Sequence, residues 1–220
     1  MKLGFKQTEV GIIPIDWDLV PIGEIFKTLS NATYSRDELT QEGEILYIHY
    51  GDIHTKFNYF LNLLKTDLPS ITKSQLKNYS LLNEGDLIMV DASEDYSAIN
   101  KSVEIVNIGN RKVISGLHTI VLRDMGNVFV DGFRGYIRSN KIVKNQLDKL
   151  ATGMKVYGVS KNNLMKVLIP IPSKQEQTAI AQILSDMDSE IETLEKKLSK
   201  YKSLKQGMMQ ELLTGRIRLV

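Results

Sequence analysis

Two groups of residues in this 220-residue chain have types and spacing that could do chemistry. Asp91, Glu94 and Asp95 directly follow the apolar run Leu87-Ile88-Met89-Val90, and carboxylates gathered at the end of a buried strand can hold Mg²⁺ for phosphodiester cleavage. That chemistry commonly also takes a lysine two residues after the second acid, where this chain has Tyr96; capping and turn formation explain the acids more simply. The second group is cationic. From Arg134 to Lys166 eight basic residues stand against one acid, Asp148, giving +7 in a chain whose net charge is +2. Such a concentration suits phosphate. Within it, the stretch from Thr152 to Ser160 carries two glycines and Tyr157, and close-approach glycines beside an aromatic ring and basic side chains suit a nucleic-acid backbone or groove. Arg134, Arg138, Lys141, Lys144, Lys155, Tyr157 and Lys161 are the candidate DNA contacts.

The elements that must position these groups are short. Ile45 to Tyr50 is rich in strand formers and ends at Gly51-Asp52, and Leu87–Val90 is apolar enough for a buried strand. Val103 to Val106 and Lys112 to Ile114 flank Gly109-Asn110, which predicts a hairpin. Ser115 to Arg123 predicts a further strand, in which His118 alternates with apolar neighbours as a packing residue. A helical turn is expected within 30–44, and short helices from Pro21 and near 72–78. Gly132 to Arg138 and Ile142 to Ala151 predict helix with Tyr136, Ile137, Leu147 and Leu150 inward and the basic residues outward. Trp17, the only tryptophan, is expected to anchor the entry segment on the core.

From Ser173 to Gly215 the pattern predicts one uninterrupted helix. Pro170 and Pro172 cannot donate inside it, Ser173 and Glu176 have capping-box spacing, and Gly215 stands where helices end. Ile180, Leu184, Met187, Ile191, Leu194, Leu198 and Tyr201 step by four and three, the rhythm of a helix that keeps one edge against a partner. The rhythm then slips to Leu204, Met208 and Leu212. At about 1.5 Å per residue such a helix spans roughly 60 Å, and pairing with a second long helix is expected.

No run of eighteen apolar residues is present and the N-terminus lacks a signal-like apolar stretch, so a cytoplasmic protein with no membrane contact is expected. The chain has no cysteine, and its three histidines, His49, His54 and His118, are scattered, poor material for a zinc site.

Taken in order, Pro14-x-x-Trp17 with Ile22-Gly23-Glu24-Ile25, Tyr47-Ile48 with Gly51-Asp52-Ile53, Glu84-Gly85-Asp86-Leu87-Ile88, Ile114-Ser115-Gly116 with His118-Thr119, Ile169-Pro170-Ile171-Pro172 with Glu176-Gln177, and Leu212-Leu213-Thr214-Gly215-Arg216-Ile217 resemble the specificity subunit of type I restriction–modification systems. The resemblance spans nearly the whole chain. It implies an α+β fold: a globular mixed α/β target-recognition domain, residues 1–172, followed by one long C-terminal coiled-coil helix, residues 173–220, for dimerisation and methyltransferase-subunit docking. Family members usually carry two such domains and two helices paired antiparallel, whereas this chain shows one of each and no internal repeat. A half-length subunit is therefore expected, one that pairs as a homodimer on double-stranded DNA with a split inverted-repeat site. The implied partners are a modification subunit that methylates adenine N6 from S-adenosylmethionine and an ATP-driven, Mg-dependent restriction subunit. No cofactor and no catalytic residue is expected in this chain, which has neither a Gly-rich loop with lysine nor an N-P-P-Y-like motif. The alternative from another class is a coiled-coil interaction protein or regulator that binds the methyltransferase subunit without reading DNA.

Overall fold

The computed structural model describes residues 4–93, 99–151 and 157–220. The chain divides into two compact units, Met1–Thr178 and Ala179–Val220.

In the first unit a five-stranded sheet runs Phe26–Leu29, Thr119–Asp124, Leu87–Val90, Ser102–Val106, Phe60–Asn62. Its pairs are antiparallel except the last, where Ser102–Val106 runs parallel to Phe60–Asn62. A second sheet of three strands places Ile45–Ile48 between Val113–Ser115, parallel to it, and Ser70–Ile71, antiparallel. Ile48, Ile53, Leu61, Ile88, Val103 and Val121 belong to one buried cluster; Ala32, Ile45, Tyr47, Ile71 and Ile114 form another. Leu87–Val90 is buried at all four positions, as its unbroken apolar run requires of a central strand.

The expected hairpin across Gly109-Asn110 does not form. Ser102–Val106 and Val113–Ser115 enter different sheets. Asn107 and Gly109 both take left-handed backbone, φ 59° and 57°, and the Asn107 and Ile108 N–H groups donate to the Glu84 carboxylate at 2.7 and 2.8 Å. Glu84 thus turns the chain away from its neighbour. The expected strand from Ser115 also breaks: Gly116 to His118 form a turn, with His118 at φ 58°, and the strand begins at Thr119. His118 is therefore an exposed turn residue, not an alternating packing residue.

Polar side chains fasten the segments that follow. Glu104, 0% exposed in a central strand, accepts from the Gly132 and Gly135 N–H groups at 2.9 and 2.8 Å and pairs with Arg134 at 3.2 Å. Burial raises the Glu104 pKa, opposed by those two N–H groups and by Arg134. Arg134 sits on a 3-10 turn, Arg134–Ser139, and points inward rather than outward; it also reaches Asp131 at 2.8 Å and Asp124 at 3.6 Å. Further on, the helix Lys141–Leu150 buries Val143 and Leu147. Its Gln146 donates to the Leu168 carbonyl and accepts the Leu168 N–H, both at 2.9 Å, bonding as a strand neighbour would.

The long helix covers Lys174–Leu213, 40 residues. The Ser173 hydroxyl accepts the Glu176 N–H at 3.3 Å, half of the expected capping box. The Glu176 carboxylate instead accepts the Trp17 indole N–H at 3.0 Å, so the entry segment is anchored to the first helical turn. Gln177, 1% exposed, accepts the Val130 N–H and donates to the Val128 and Pro172 carbonyls. Past the other end Gly215 adopts φ 72°, and the Arg216 and Ile217 N–H groups return to the Glu211 carbonyl.

Removing one partner from a buried ion pair costs about 3–5 kcal/mol, and each kcal/mol shifts Tm by about 2–4 °C at this size. Glu104→Ala will therefore lower the thermal midpoint by about 6–20 °C, read by circular dichroism, whereas Lys144→Ala, at an exposed pair, will leave it nearly unchanged.

Candidate nucleic-acid interface

Asp91 is where the sequence-predicted residues and several unforeseen ones meet. Its N–H donates to the His118 carbonyl at 3.2 Å, and its own carbonyl accepts the Val159 N–H at 2.9 Å. Just beyond, Ala92–Ser93 pairs antiparallel with Tyr157–Gly158, Tyr157 opposite Ser93. Lys161 opens the short helix Lys161–Leu164, whose start the Ser160 hydroxyl caps by accepting the Asn163 N–H. Tyr157 and Lys161, 66 and 70 residues from Asp91 in sequence, are thereby brought to the same strand end as the turn at His118.

The Asp91 carboxylate faces the His118 ring, Oδ1 to Nδ1 3.7 Å, beyond hydrogen-bond distance. No hydrogen-bond donor among the described residues reaches that buried oxygen. Burial raises the Asp91 pKa, and the neighbouring His118 and Lys161 oppose the rise. Glu94 and Asp95, the other acids of the trio, lie outside the described residues. Among the described residues no three acidic or histidine side chains converge as metal ligands.

All three histidines surround Tyr50. Its ring stacks on His49 at 4.6 Å between centroids and meets the edges of His118 at 5.3 Å and His54 at 6.0 Å. Tyr50 starts the helix Tyr50–Lys56, with His49 as its N-cap: His49 Nδ1 accepts the Gly51 N–H at 3.1 Å. Because Nδ1 already accepts there, Arg36 Nη2, also 3.1 Å away, is the donor in its contact with the ring. That arrangement needs neutral His49 with its hydrogen on Nε2. Burial, and then the Arg36 charge, lower its pKa accordingly. Arg36 is exposed and also 3.4 Å from the buried Asp52, which Lys56 approaches at 2.9 Å.

The remaining candidates divide. Lys101 Nζ donates to the His54 carbonyl at 2.9 Å. Part-buried Arg138 donates to the Ile99 carbonyl at 3.2 Å, and its charge acts on Lys101, so Arg138 borders the same cluster. Lys141 and Lys144 are exposed on the helix Lys141–Leu150, Lys144 in an ion pair with Asp148. Lys155 lies outside the described residues. Arg134 is 5% exposed with its guanidinium committed to Glu104, Asp124 and Asp131, so the structure gives it the work of holding the fold and removes it from the candidate contacts. Charge density alone could not separate Arg134 from its neighbours, because its acidic partners lie on three different segments. Tyr50, His49, His118 and Arg36 were missed for the converse reason: each is a lone polar residue until folding gathers them.

In the second unit the seam divides along its length. Ile180 and Leu184 are half-buried, whereas Met187, Ile191, Leu194, Leu198 and Tyr201 are each 51–57% exposed. Leu204 and Met208 continue the exposed row. No described helix is long and apolar enough to cross a membrane.

The sequence model of a family described as the type I restriction modification DNA specificity domain matches residues 14–202. A putative type I restriction enzyme MjaX specificity subunit of Methanocaldococcus jannaschii is 27% identical over 98% of this chain and 47% of its own length. The EcoKI specificity subunit of Escherichia coli K12 is 20% identical over 94% of this chain and 44% of its own. The chain thus spans about half the length of these relatives. Two solved structures share the fold at 16% identity. One is the type I restriction–modification S subunit from M. genitalium, with TM-score 0.55 over 96% of this chain and 47% of that one. The other is the HsdS subunit from Thermoanaerobacter tengcongensis, with TM-score 0.60 over 94% and 47%.

The His49 environment gives a titration test. Its folded pKa lies below the ordinary value of about 6.5, so its stabilising effect is complete above that pH and is lost as pH falls through the folded value. Arg36→Met removes one of the influences that lower it. The His49 resonance will then titrate at higher pH in an NMR series, and the acid loss of stability will shrink.

Proposed function

The chain belongs to the type I restriction–modification DNA specificity family, and from that membership we propose that it reads DNA as a pair of identical copies and directs modification and restriction subunits to the site. The observation that carries the pairing is the exposed apolar seam on the 40-residue helix. A soluble helix leaves such a row uncovered only at a cost that a partner removes. Covering seven side chains of this kind yields on the order of 10–20 kcal/mol gross, an upper bound, against an association cost of roughly 4–15 kcal/mol. A second copy supplies the matching row by symmetry.

Two such helices running antiparallel relate the recognition domains by a twofold axis, so each domain meets one arm of a split inverted repeat. Helix length then sets the unread spacer. Lys141, Lys144 and Lys161, with Arg138 and Tyr157 beside them and Lys155 added on charge, supply phosphate contacts and salt sensitivity. The chain itself is the non-catalytic component. Methyl transfer from S-adenosylmethionine to adenine N6 belongs to the modification subunit, and ATP- and Mg-dependent cleavage to the restriction subunit.

Methylome sequencing of cells expressing this chain with a cognate modification subunit tests the reading: a palindromic split motif is the expected result. A modification subunit bound without any sequence-dependent methylation would instead favour an interaction protein that does not read DNA. Leu194→Asp would bury two carboxylates per dimer at several kcal/mol, so sedimentation equilibrium will show dimer Kd raised by about 100-fold or more. Lys161→Ala and Lys141→Ala will each weaken duplex binding alike for all sequences and lower the slope of log affinity against log salt by about 1.

A further inference from the structure

The turn from Gly116 to His118 is held far more firmly than a connection between two strands needs. Asn31 Nδ2 donates to the Gly116 and Thr119 carbonyls at 3.1 and 3.0 Å. The buried Thr119 hydroxyl donates to the Gly116 carbonyl at 2.5 Å, and the Tyr47 hydroxyl accepts the Leu117 N–H at 3.2 Å. A Cβ at Gly116 would stand 2.4 Å from the Tyr47 ring, so that residue is glycine to let the turn close on Tyr47. What the turn displays is His118, left-handed at φ 58° with its side chain 46% exposed. A non-glycine residue persists in that conformation only where its surroundings over-determine it, and such residues cluster at functional sites. Asp91 faces Nδ1 on one side and the Tyr50 ring packs against the imidazole on another. The nitrogen left over is Nε2, which has no hydrogen-bond partner among the described residues.

Resting on the DNA-reading function above, we propose that His118 is a base-reading residue, its Nε2 accepting a hydrogen bond from an exocyclic amino group, adenine N6 or cytosine N4, in the major groove of each half-site. Asp91 is the positioning residue: its carboxylate stands 3.7 Å from Nδ1, and its charge favours the tautomer with the hydrogen on that nitrogen, which leaves Nε2 the acceptor. In the major groove those amino groups are the donors that distinguish adenine and cytosine from thymine and guanine. Arg36, exposed beside His49, and Lys161, exposed near Asp91, would meet the flanking phosphates, which fix register without carrying sequence.

The test is selection of bound duplexes from a randomised library by the complete complex with its modification subunit. Wild type, His118→Asn and Asp91→Asn are compared at matched salt. Asparagine tolerates left-handed backbone, so His118→Asn preserves the turn. It will weaken or change preference at one position per half-site by about tenfold, leave the other positions intact, and keep the wild-type salt slope and thermal midpoint. Asp91→Asn will blunt preference at that same position and no other. Unchanged preference at every position in both variants overturns the assignment, as does a uniform loss of affinity with a shallower salt slope, which would make His118 a phosphate contact. His118→Gly, which left-handed backbone accepts without steric cost, is the second variant should Asn disturb folding; an unchanged motif there overturns it equally. A wild-type complex with no sequence preference would instead sink the DNA-reading function itself, a result distinct from either.

Discussion

Glu104 is the constraint from which much of the first unit follows. A carboxylate with no solvent exposure, in the strand between Leu87–Val90 and Phe60–Asn62, must be satisfied internally. Its partners are the N–H groups of Gly132 and Gly135 and the guanidinium of Arg134, so the segment 128–135 is drawn onto the sheet. The same segment offers the Val128 carbonyl and Val130 N–H to Gln177, in the first turns of the long helix. One buried acid thus begins a chain of polar contacts that ends where the helix starts. Gly85 belongs to it as well: it is left-handed at φ 76°, and a Cβ there would stand 2.6 Å from Arg134 Nη1. Hydrophobic clusters supply the bulk of the stabilisation, but they do not specify register; these directed bonds do.

The residues that carried the family resemblance turn out to be largely of this directing kind. In Glu84-Gly85-Asp86, the glutamate captures two N–H groups of the following connection, the glycine makes room for Arg134, and the aspartate takes a two-pronged contact from Arg123 at 2.6 and 2.8 Å. In Gly51-Asp52 the aspartate is buried against Arg36 and Lys56. Glu176 and Gln177 bond Trp17 and the 128–130 segment. Such motifs made the fold and the long helix legible, because short patterns of this type report local backbone requirements. They say little about recognition. The strand near Leu87, the turn at Arg36–Glu38, the short helix at Ile22–Ile25 and the span Lys174–Leu213 all follow from local pattern. The Gly109-Asn110 hairpin failed because a carboxylate 23 residues upstream outbid the local turn signal.

The candidate site was legible only in part for a related physical reason. Charge density picked out Lys161, Tyr157 and Arg138, which border Asp91 or the Tyr50 cluster. It could not tell a cation committed to buried acids, Arg134, from one left exposed, Lys141. The aromatic and histidine half of the site comes from segments around residues 36, 50, 91 and 118, joined by sheet pairing between distant strands. No spacing within any one of them announces that convergence. His118 carried a misleading signal: its apolar neighbours alternate as in a strand, and only the clamp by Asn31, Tyr47 and Thr119 converts those positions into a turn.

That clamp bears on how one scaffold can serve different readings. Asn31, Tyr47 and Thr119 bond the main chain of Gly116, Leu117 and Thr119, and none of these bonds uses the His118 side chain. The backbone there is held whatever side chain projects from it, subject only to the left-handed φ, which asparagine, aspartate and histidine tolerate best. Those three residue types differ in what they offer a base edge: amide donor and acceptor, carboxylate acceptor, or imidazole with one of each. A turn fixed through its carbonyls and N–H groups therefore separates the work of folding from the work of reading. Position 118 can change its hydrogen-bonding chemistry without disturbing Glu104, Gln177 or the helix that they secure.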